Sequence, residues 1–376
     1  MDVSVILTYR CNSKCSMCNI WKFPTLPKEE VILDTLSKIP EGVDYLNLTG
    51  GEPTLREDLL EIVDLLYPKA MKLEISSNGL KPEKIEPIIK KYPDVKIRFS
   101  LEGFEETNDS IRGEKNGYQT KLNGLLRLKE LGGKDLGFAI TIQDDNIDDL
   151  VDLFELCENH GFELATSTLH NGFQFHKSDN TPYDRLKVAI SIEELITRML
   201  KTYKIKNWFR AYLNLGLIAK VLGHDRMLKC TAATDFVFID PWSDVYACNV
   251  RPDLKIGNLM TDKWLKIMNG EKINQIREKV FQCKHNCWMV GSAKTAMRHP
   301  KFAKIPKGGP LYWVIRNKLF LTFGKKINFQ NYIDYSVVHT DEFISIRKSY
   351  LNENIKKNVQ QKSDNPYDQY GHYWNK

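Results

Sequence analysis

Across its first 170 residues the chain alternates short apolar runs with amphipathic ones, and this alternation restricts its fold more than any other feature. The apolar runs Val3–Thr8, Asp44–Leu48, Met71–Ser76, Val95–Leu101, Leu136–Ile142 and Phe162–Ser167 read as strands. Helical periodicity fills the intervals at Lys28–Ile39, Glu57–Leu66, Pro82–Lys91, Tyr118–Leu131 and Ile147–His160. Strands separated by helices pair in parallel through helical crossovers. Right-handed crossovers curl such a sheet into an open barrel, an α/β fold of the partial (β/α)6 kind. Its active site is expected at the carboxyl ends of the strands.

Beyond the barrel pattern, Asn171–Tyr183 reads as a loop and Ile190–Leu222 as mostly helical. Phe236–Asp240 and Asp244–Ala247 flank Pro241-Trp242-Ser243 and predict a short β-hairpin. Two short helices, around Trp264 and Ile276, lead to Cys283, and Gln360–Lys376 lacks periodicity, which predicts loose order. The expected division is a core over residues 1–225, a small extension over 226–295, and a basic, aromatic C-terminal segment over 296–376.

Eight cysteines fall in clusters: Cys11, Cys15 and Cys18; Cys230 and Cys248; Cys283 and Cys287; only Cys157 stands alone. Met1–Leu7 lacks the features of a signal peptide. No run approaches the roughly 18 apolar residues of a membrane span. A cytoplasmic chain is therefore expected, where clustered cysteines point to metal rather than disulfides.

Cys11-Asn-Ser-Lys-Cys15-Ser-Met-Cys18 directly follows the first strand. Three thiolates so spaced can wrap one face of a cuboidal cluster and leave one iron open for catalysis. A zinc site completed by a distant residue fits the spacing as well. Gly50-Gly51-Glu52-Pro53 ends the second strand. The glycines let a ligand approach the backbone, Glu52 offers an acceptor for an ammonium group, and Pro53 stiffens the turn. Either motif alone is ordinary; together, one βα unit apart, they are not.

On these residues the chain resembles the radical S-adenosylmethionine (SAM) superfamily over about residues 3–170. The resemblance implies a radical SAM barrel in which Cys11, Cys15 and Cys18 bind a 4Fe–4S cluster. SAM then chelates the open iron through its amino and carboxylate groups, and Gly50, Gly51, Glu52 and Pro53 hold the amino group. Ser76 and Asn78 end the third strand, Ser100 and Glu102 the fourth, and all four are placed around SAM by the same resemblance. Arg112 stands where such proteins set an arginine against the SAM carboxylate, a task that suits a guanidinium. The residue before the third cysteine departs from the family, being Met17 rather than an aromatic. Met can cover an adenine face, and its backbone contact with the adenine is retained. Trp21 is a second candidate for that ring, or a core residue.

Cys230 and Cys248 bracket the hairpin, and Cys283-Lys-His-Asn-Cys287 follows. Four thiolates complete a site without an open position, either a second cluster or zinc. The arrangement resembles the twitch or SPASM-type C-terminal extension of radical SAM proteins, as do Gly257-Asn258-Leu259 and Trp264. The resemblance implies a single auxiliary 4Fe–4S cluster. Ser243 occupies a hairpin position where that family has glycine. Cys157 sits on an apolar helical face and reads as core. His170 and His176 flank the loop after the sixth strand, either lining a cavity or solvated.

The implied chemistry is reductive cleavage of SAM to methionine and a 5′-deoxyadenosyl radical, which abstracts a hydrogen atom from substrate. The auxiliary cluster then takes up an electron, with a flavodoxin or ferredoxin as external donor. Val3 already begins the first strand, so no peptide-docking domain is expected before the barrel. That favours a small-molecule substrate, a sugar, cyclitol or lipid-linked compound, over a peptide or protein as in a maturase. The reading from a different class is a non-catalytic zinc-binding interaction protein, against which Gly50–Pro53 speaks.

Charge is uneven. The chain carries 54 basic and 48 acidic residues, a net of +6, yet Lys279 to Ile333 holds eleven Lys/Arg and no Asp or Glu. Aromatic and aliphatic residues interleave there with Arg316, Lys318, Lys325 and Lys326. The stretch is read three ways: a helix packed on the barrel, a nucleic-acid surface, or a peripheral contact at the inner face of an anionic membrane. No nucleic-acid module accompanies the charge, so no nucleic-acid partner is expected.

Overall fold

The structure, a computed structural model, describes residues 1–303 and 309–336. Gln360–Lys376 lies outside the described residues. Among these residues nine strands form one sheet: β1 (Asp2–Ile6), β2 (Tyr45–Thr49), β3 (Leu73–Ser77), β4 (Lys96–Ser100), β5 (Leu136–Ile142), β6 (Glu163–Thr168), β7 (Phe236–Ile239), β8 (Asp244–Tyr246) and β9 (Lys255–Asn258). Their order is β6-β5-β4-β3-β2-β1-β7-β8-β9. The first seven pair in parallel and the last two antiparallel. The barrel strands alternate: Val3, Val5, Leu46, Leu48, Ile75, Ile97, Phe99, Phe138 and Ile140 are buried on one face, with Ser4, Asn47, Glu74, Ser76, Arg98 and Ser100 on the other. An apolar residue at every second position is why the sequence locates these strands to within a few residues.

The helices are α1 (Leu33–Ser37), α2 (Leu59–Leu66), α3 (Glu86–Lys91), α4 (Glu105–Arg112), α5 (Gly117–Glu130), α6 (Leu150–His160), α7 (Arg185–Lys201), α8 (Ile205–Val221), α9 (Trp264–Asn269), α10 (Glu271–Phe281), α11 (Val290–Arg298), α12 (Pro300–Ala303) and α13 (Pro310–Thr322). Two departures from expectation bear on the site. Lys28–Ile39 is not one helix: a 3-10 turn and an extended link precede the single turn of α1. The link turns Glu30 inward, where it accepts from Arg10 Nε at 2.8 Å and Thr25 Oγ1 at 2.8 Å and pairs with Arg56. Helix α4 is additional. Its sequence is polar almost throughout, but Asn108, Ile111 and Arg112 are buried, and this narrow face fixes it beside the strand ends.

The hairpin forms as expected and also continues the barrel. Strand β7 pairs with β1 from Asp2 opposite Phe236 to Val5 opposite Ile239, so both cysteine groups hang on one continuous sheet. Strand β9 closes the hairpin from the other side. Asn258 Nδ2 donates to Trp242 O at 3.0 Å and to Asp244 Oδ1 at 2.6 Å. Ser243 adopts φ 69°, a left-handed conformation that costs a non-glycine residue about 1 kcal/mol. The turn therefore keeps a glycine-type backbone without its glycine.

Candidate functional site

Backbone bonds on both sides hold the loop from β1 to Cys18. Thr8 O accepts from Gly51 N at 2.7 Å and Arg10 O from Glu52 N at 2.8 Å. On the other side, Lys14 N and Ser16 N donate to the last carbonyls of α4, Arg112 O at 3.0 Å and Ile111 O at 2.8 Å. The glycines exist for this approach. A Cβ on Gly50 would stand 2.6 Å from Thr8 O, and one on Gly51 2.3 Å from Arg10 O. Gly113, left-handed at the end of α4, does the same for Lys14 O, 2.8 Å from its notional Cβ.

So placed, Cys11, Cys15 and Cys18 share one cavity of about 220 Å³ at the carboxyl ends of the barrel strands. Met17, Gly50, Gly51, Ser76, Asn78, Ser100, Glu102 and Arg112, all expected at the site, line the same cavity. Burial pushes the Cys11 thiol up to about 11 and the Cys18 thiol up to about 12. Cys15 is raised by the same cause, against the opposing pull of Arg112.

Glu52 and Pro53 are placed differently from expectation. Neither is among the cavity's lining residues, and Glu52 is fully buried. Its carboxylate accepts from Thr54 N at 2.9 Å, Thr54 Oγ1 at 2.7 Å, Ser77 Oγ at 2.8 Å and Asn78 N at 2.5 Å. Burial raises its pKa while the four donors oppose that rise. Glu52 thus ties the glycine turn to the end of β3, and Pro53 opens the 3-10 turn beneath it. Replacing Glu52 with Gln sets an NH2 group against donors. The apo protein is expected to lose about 2–3 kcal/mol in denaturant unfolding. An unchanged apo stability would contradict this structural role.

Arg112 is a buried cation rather than a surface one, 6% exposed. It donates to Glu102 Oε1 and to Glu114 Oε1, both at 3.0 Å. Burial lowers its pKa, but Cys15, Glu102 and Glu114 together outweigh that and hold it well above the usual value. Glu102 is shared between Arg112 and Thr141 N, at 2.7 Å. Glu114 also binds Ser13 and Lys121, which couples the cysteine loop to Arg112. Asn78 Nδ2 donates to Asn12 Oδ1 at 2.6 Å, inside the cysteine loop. Ser76 Oγ donates to Asn47 Oδ1 at 3.0 Å.

Asn180 is a wall residue that was not legible in the sequence, whereas Trp21 and His170 were among its candidates. Asn180 Nδ2 donates to Met17 O at 2.9 Å and His170 O at 3.0 Å, clamping the third-cysteine turn to the loop after β6. Trp21 lines the cavity, its indole N–H donating to Cys18 O at 3.0 Å, so it is wall and not core. His170 also lines it, and burial lowers its pKa to about 3, so the ring is neutral. His176 is buried against Tyr9 and Phe23 and is not a lining residue. Cys157 is fully buried in the core, as expected.

A second cavity is lined by Cys230, Cys248, Cys283 and Cys287. The hairpin brings the first two together, and α10 delivers the others. Arg226 reaches across, donating to Cys287 O at 2.6 Å and lying 3.5 Å from Cys287 Sγ, with its cation 5.1 Å from the Trp288 ring. Arg251 and His285 also line this cavity. Two side chains, Asn286 and Lys220, link the Cys283–Cys287 loop to Leu169 in the wall of the first cavity. Asn286 Nδ2 donates to Lys220 O at 3.1 Å, and Lys220 Nζ donates to Leu169 O at 2.7 Å and Thr168 Oγ1 at 3.0 Å.

Among the described residues no group of three or more His, Cys, Asp or Glu is gathered closely enough to hold a single metal ion. The thiols instead stand around two cavities, three at one and four at the other. That donor set fits multinuclear iron–sulfur clusters, one with an open iron and one fully ligated.

Comparison with known proteins agrees. Residues 5–157 match the family model of the radical SAM superfamily, and residues 230–288 match that of an iron–sulfur cluster-binding domain. Fe-coproporphyrin III synthase of Methanosarcina barkeri is 35% identical over 162 residues, 40% of this chain and 39% of that protein. The chain thus spans about two fifths of that relative's length. Mycofactocin maturase MftC of Mycolicibacterium smegmatis is 28% identical over 287 residues, 72% of this chain and 71% of its own. Streptococcus suis SuiB, solved bound to precursor peptide SuiA, shares the fold with a TM-score of 0.52 at 17% identity, over 73% of this chain and 66% of that one. The two matched domains bind SAM and 4Fe–4S clusters. The chain belongs to the radical SAM superfamily, with a SPASM-type iron–sulfur cluster-binding domain C-terminal to its radical SAM core.

Proposed function

We propose that this radical SAM enzyme modifies a peptide, Cys11, Cys15 and Cys18 holding the SAM-binding cluster and Cys230, Cys248, Cys283 and Cys287 the auxiliary one. The observation that carries this reading is the pair of thiol-lined cavities on one sheet, three thiols in one and four in the other. When bound, the reduced first cluster and SAM supply a 5′-deoxyadenosyl radical that takes a hydrogen atom from substrate, and the second offers a destination for the electron left behind. The division of labour is residues 1–225 for the SAM site and 226–295 for the auxiliary site. A flavodoxin or ferredoxin is the proposed electron donor.

The chain's own residues prepare the first cavity. Gly50 and Gly51 let the cysteine loop close on β2, and Glu52 locks that turn to β3. Arg112, fixed by Glu102 and Glu114, supplies a cation for a carboxylate. Asn180 fixes the Met17 carbonyl, the backbone group proposed to meet the adenine. Buried walls keep water from a reactive intermediate.

A peptide substrate is favoured over the sugar, cyclitol or lipid-linked compound expected from the sequence. The similarity to MftC covers 72% of this chain, well beyond the matched radical SAM region, and SuiB is a peptide-bound example of the fold. The higher identity to Fe-coproporphyrin III synthase covers 162 residues, about the extent of the SAM core, so it carries less about the substrate. The test is anaerobic incubation of reconstituted enzyme with SAM, dithionite and a synthetic peptide encoded beside its gene. Loss of a hydrogen pair from the peptide, seen by mass spectrometry with 5′-deoxyadenosine formed in step, is the expected result. A peptide returned unchanged while a neighbouring small metabolite is consumed contradicts it.

A further inference from the structure

Helix α13 has one face in the protein and one that nothing among the described residues covers. Trp313, Val314 and Asn317 are buried, with Trp313 edge-on to Tyr212 at 5.6 Å between ring centroids. Lys318, expected to be a free surface cation, belongs to this inner side. Its ammonium donates to Leu200 O at 2.8 Å and Thr202 O at 3.0 Å, at the end of α7, and lies 4.9 Å from the Trp208 ring.

The outer face is apolar. Leu311, Ile315, Leu319 and Phe323 are 42%, 52%, 49% and 75% exposed, and residues four apart form one stripe. Tyr203, 94% exposed, lies 5.6 Å from the Lys318 ammonium and extends the surface across the α7–α8 turn. A helix apolar on both faces belongs in an interior or against a partner. From Pro310 to Ile333 there is no acidic residue, and Lys325 and Lys326 are exposed just beyond Phe323.

An apolar stripe rimmed by aromatic rings, ending in cations and free of carboxylates, matches the chemistry of an anionic bilayer surface. The apolar side chains enter the acyl boundary, Tyr203 and Tyr312 lie at headgroup level, and the lysines meet the phosphates. The thirteen-residue helix lies flat on such a surface, since no helix among the described residues is long and apolar enough to cross a membrane. We propose that the outer face of α13, with Tyr203, Lys325 and Lys326, docks this protein on anionic membrane. The proposal stands independently of the peptide-modification reading.

The test is co-sedimentation of the full-length, cluster-loaded protein with vesicles of equal parts phosphatidylcholine and phosphatidylglycerol, against phosphatidylcholine alone. Binding to the anionic vesicles only is expected, falling about tenfold in half-molar salt as screening acts. Two double variants, Ile315→Gln with Leu319→Gln and Lys325→Glu with Lys326→Glu, are each expected to lose most of this binding with the melting temperature unchanged. Equal binding to both vesicle types, or to neither, overturns the proposal. So does a lower melting temperature for Ile315→Gln with Leu319→Gln and no change in vesicle binding, which assigns the stripe to residues 337–376 of the same chain. A dimer that those two substitutions dissolve, without vesicle binding, overturns it in favour of a second copy.

Discussion

Replacing Cys11, Cys15 and Cys18 with Ala reduces 5′-deoxyadenosine formation to the background of cluster-free protein, while the second site keeps its iron. The loop carrying these cysteines does not depend on them for its shape. It is fixed by backbone bonds to Gly51, Glu52 and the end of α4, and by Asn180 on the Met17 carbonyl. The variant is therefore expected to fold, and circular dichroism should match that of the parent. What it lacks is the three thiols of one cavity, the donors from which a three-cysteine iron–sulfur site is built. Iron content is expected to fall by about half, since the other four cysteines line a separate cavity. Residual SAM cleavage above background would mean that other residues hold the reactive cluster.

Replacing Cys283 and Cys287 with Ala separates the two halves of the reaction. SAM cleavage persists, because neither residue lines the first cavity. Formation of modified peptide stops, because two of the four thiols around the second cavity are gone and the substrate electron has no destination. The Lys220 contact limits the damage to the first site. Its ammonium binds the end of β6 through Thr168 and Leu169, whereas only its backbone carbonyl meets Asn286 of the altered loop. Quantifying 5′-deoxyadenosine and peptide product in the same reaction reads both quantities. Normal product yield would place the auxiliary cysteines outside the chemistry.

The parts legible in the sequence are those where physics leaves few choices. A strand packed against a core must place apolar residues at every second position, so β1 to β6 stand out, and β5 is located to the residue. Cysteines that surround one cavity from a single loop must be close in sequence, as Cys11, Cys15 and Cys18 are. The parts not legible depend on long-range polar partners. Helix α4 has almost no apolar periodicity, yet its last carbonyls hold the cysteine loop. Asn180 lies in a featureless loop and is made functional only by the approach of Met17. Lys28–Ile39 carries a helical spacing of Ile32, Leu36 and Ile39 that the inward Glu30 cluster overrides. The four donors that tie the Glu52 carboxylate to Thr54 and the end of β3 were not legible, because sequence gives no sign of which way a carboxylate faces. The basic stretch dissolves in three dimensions: Lys294 sits over the Tyr45 ring, Arg298 pairs with Asp2, and Lys318 closes α7.

The most direct test of the central claim, two iron–sulfur clusters on one sheet, is metal analysis of anaerobically reconstituted full-length protein. About eight irons and eight sulfides per chain are expected, with broad visible absorption that bleaches on reduction. Zinc at one or two equivalents, with no broad visible absorption, would contradict it.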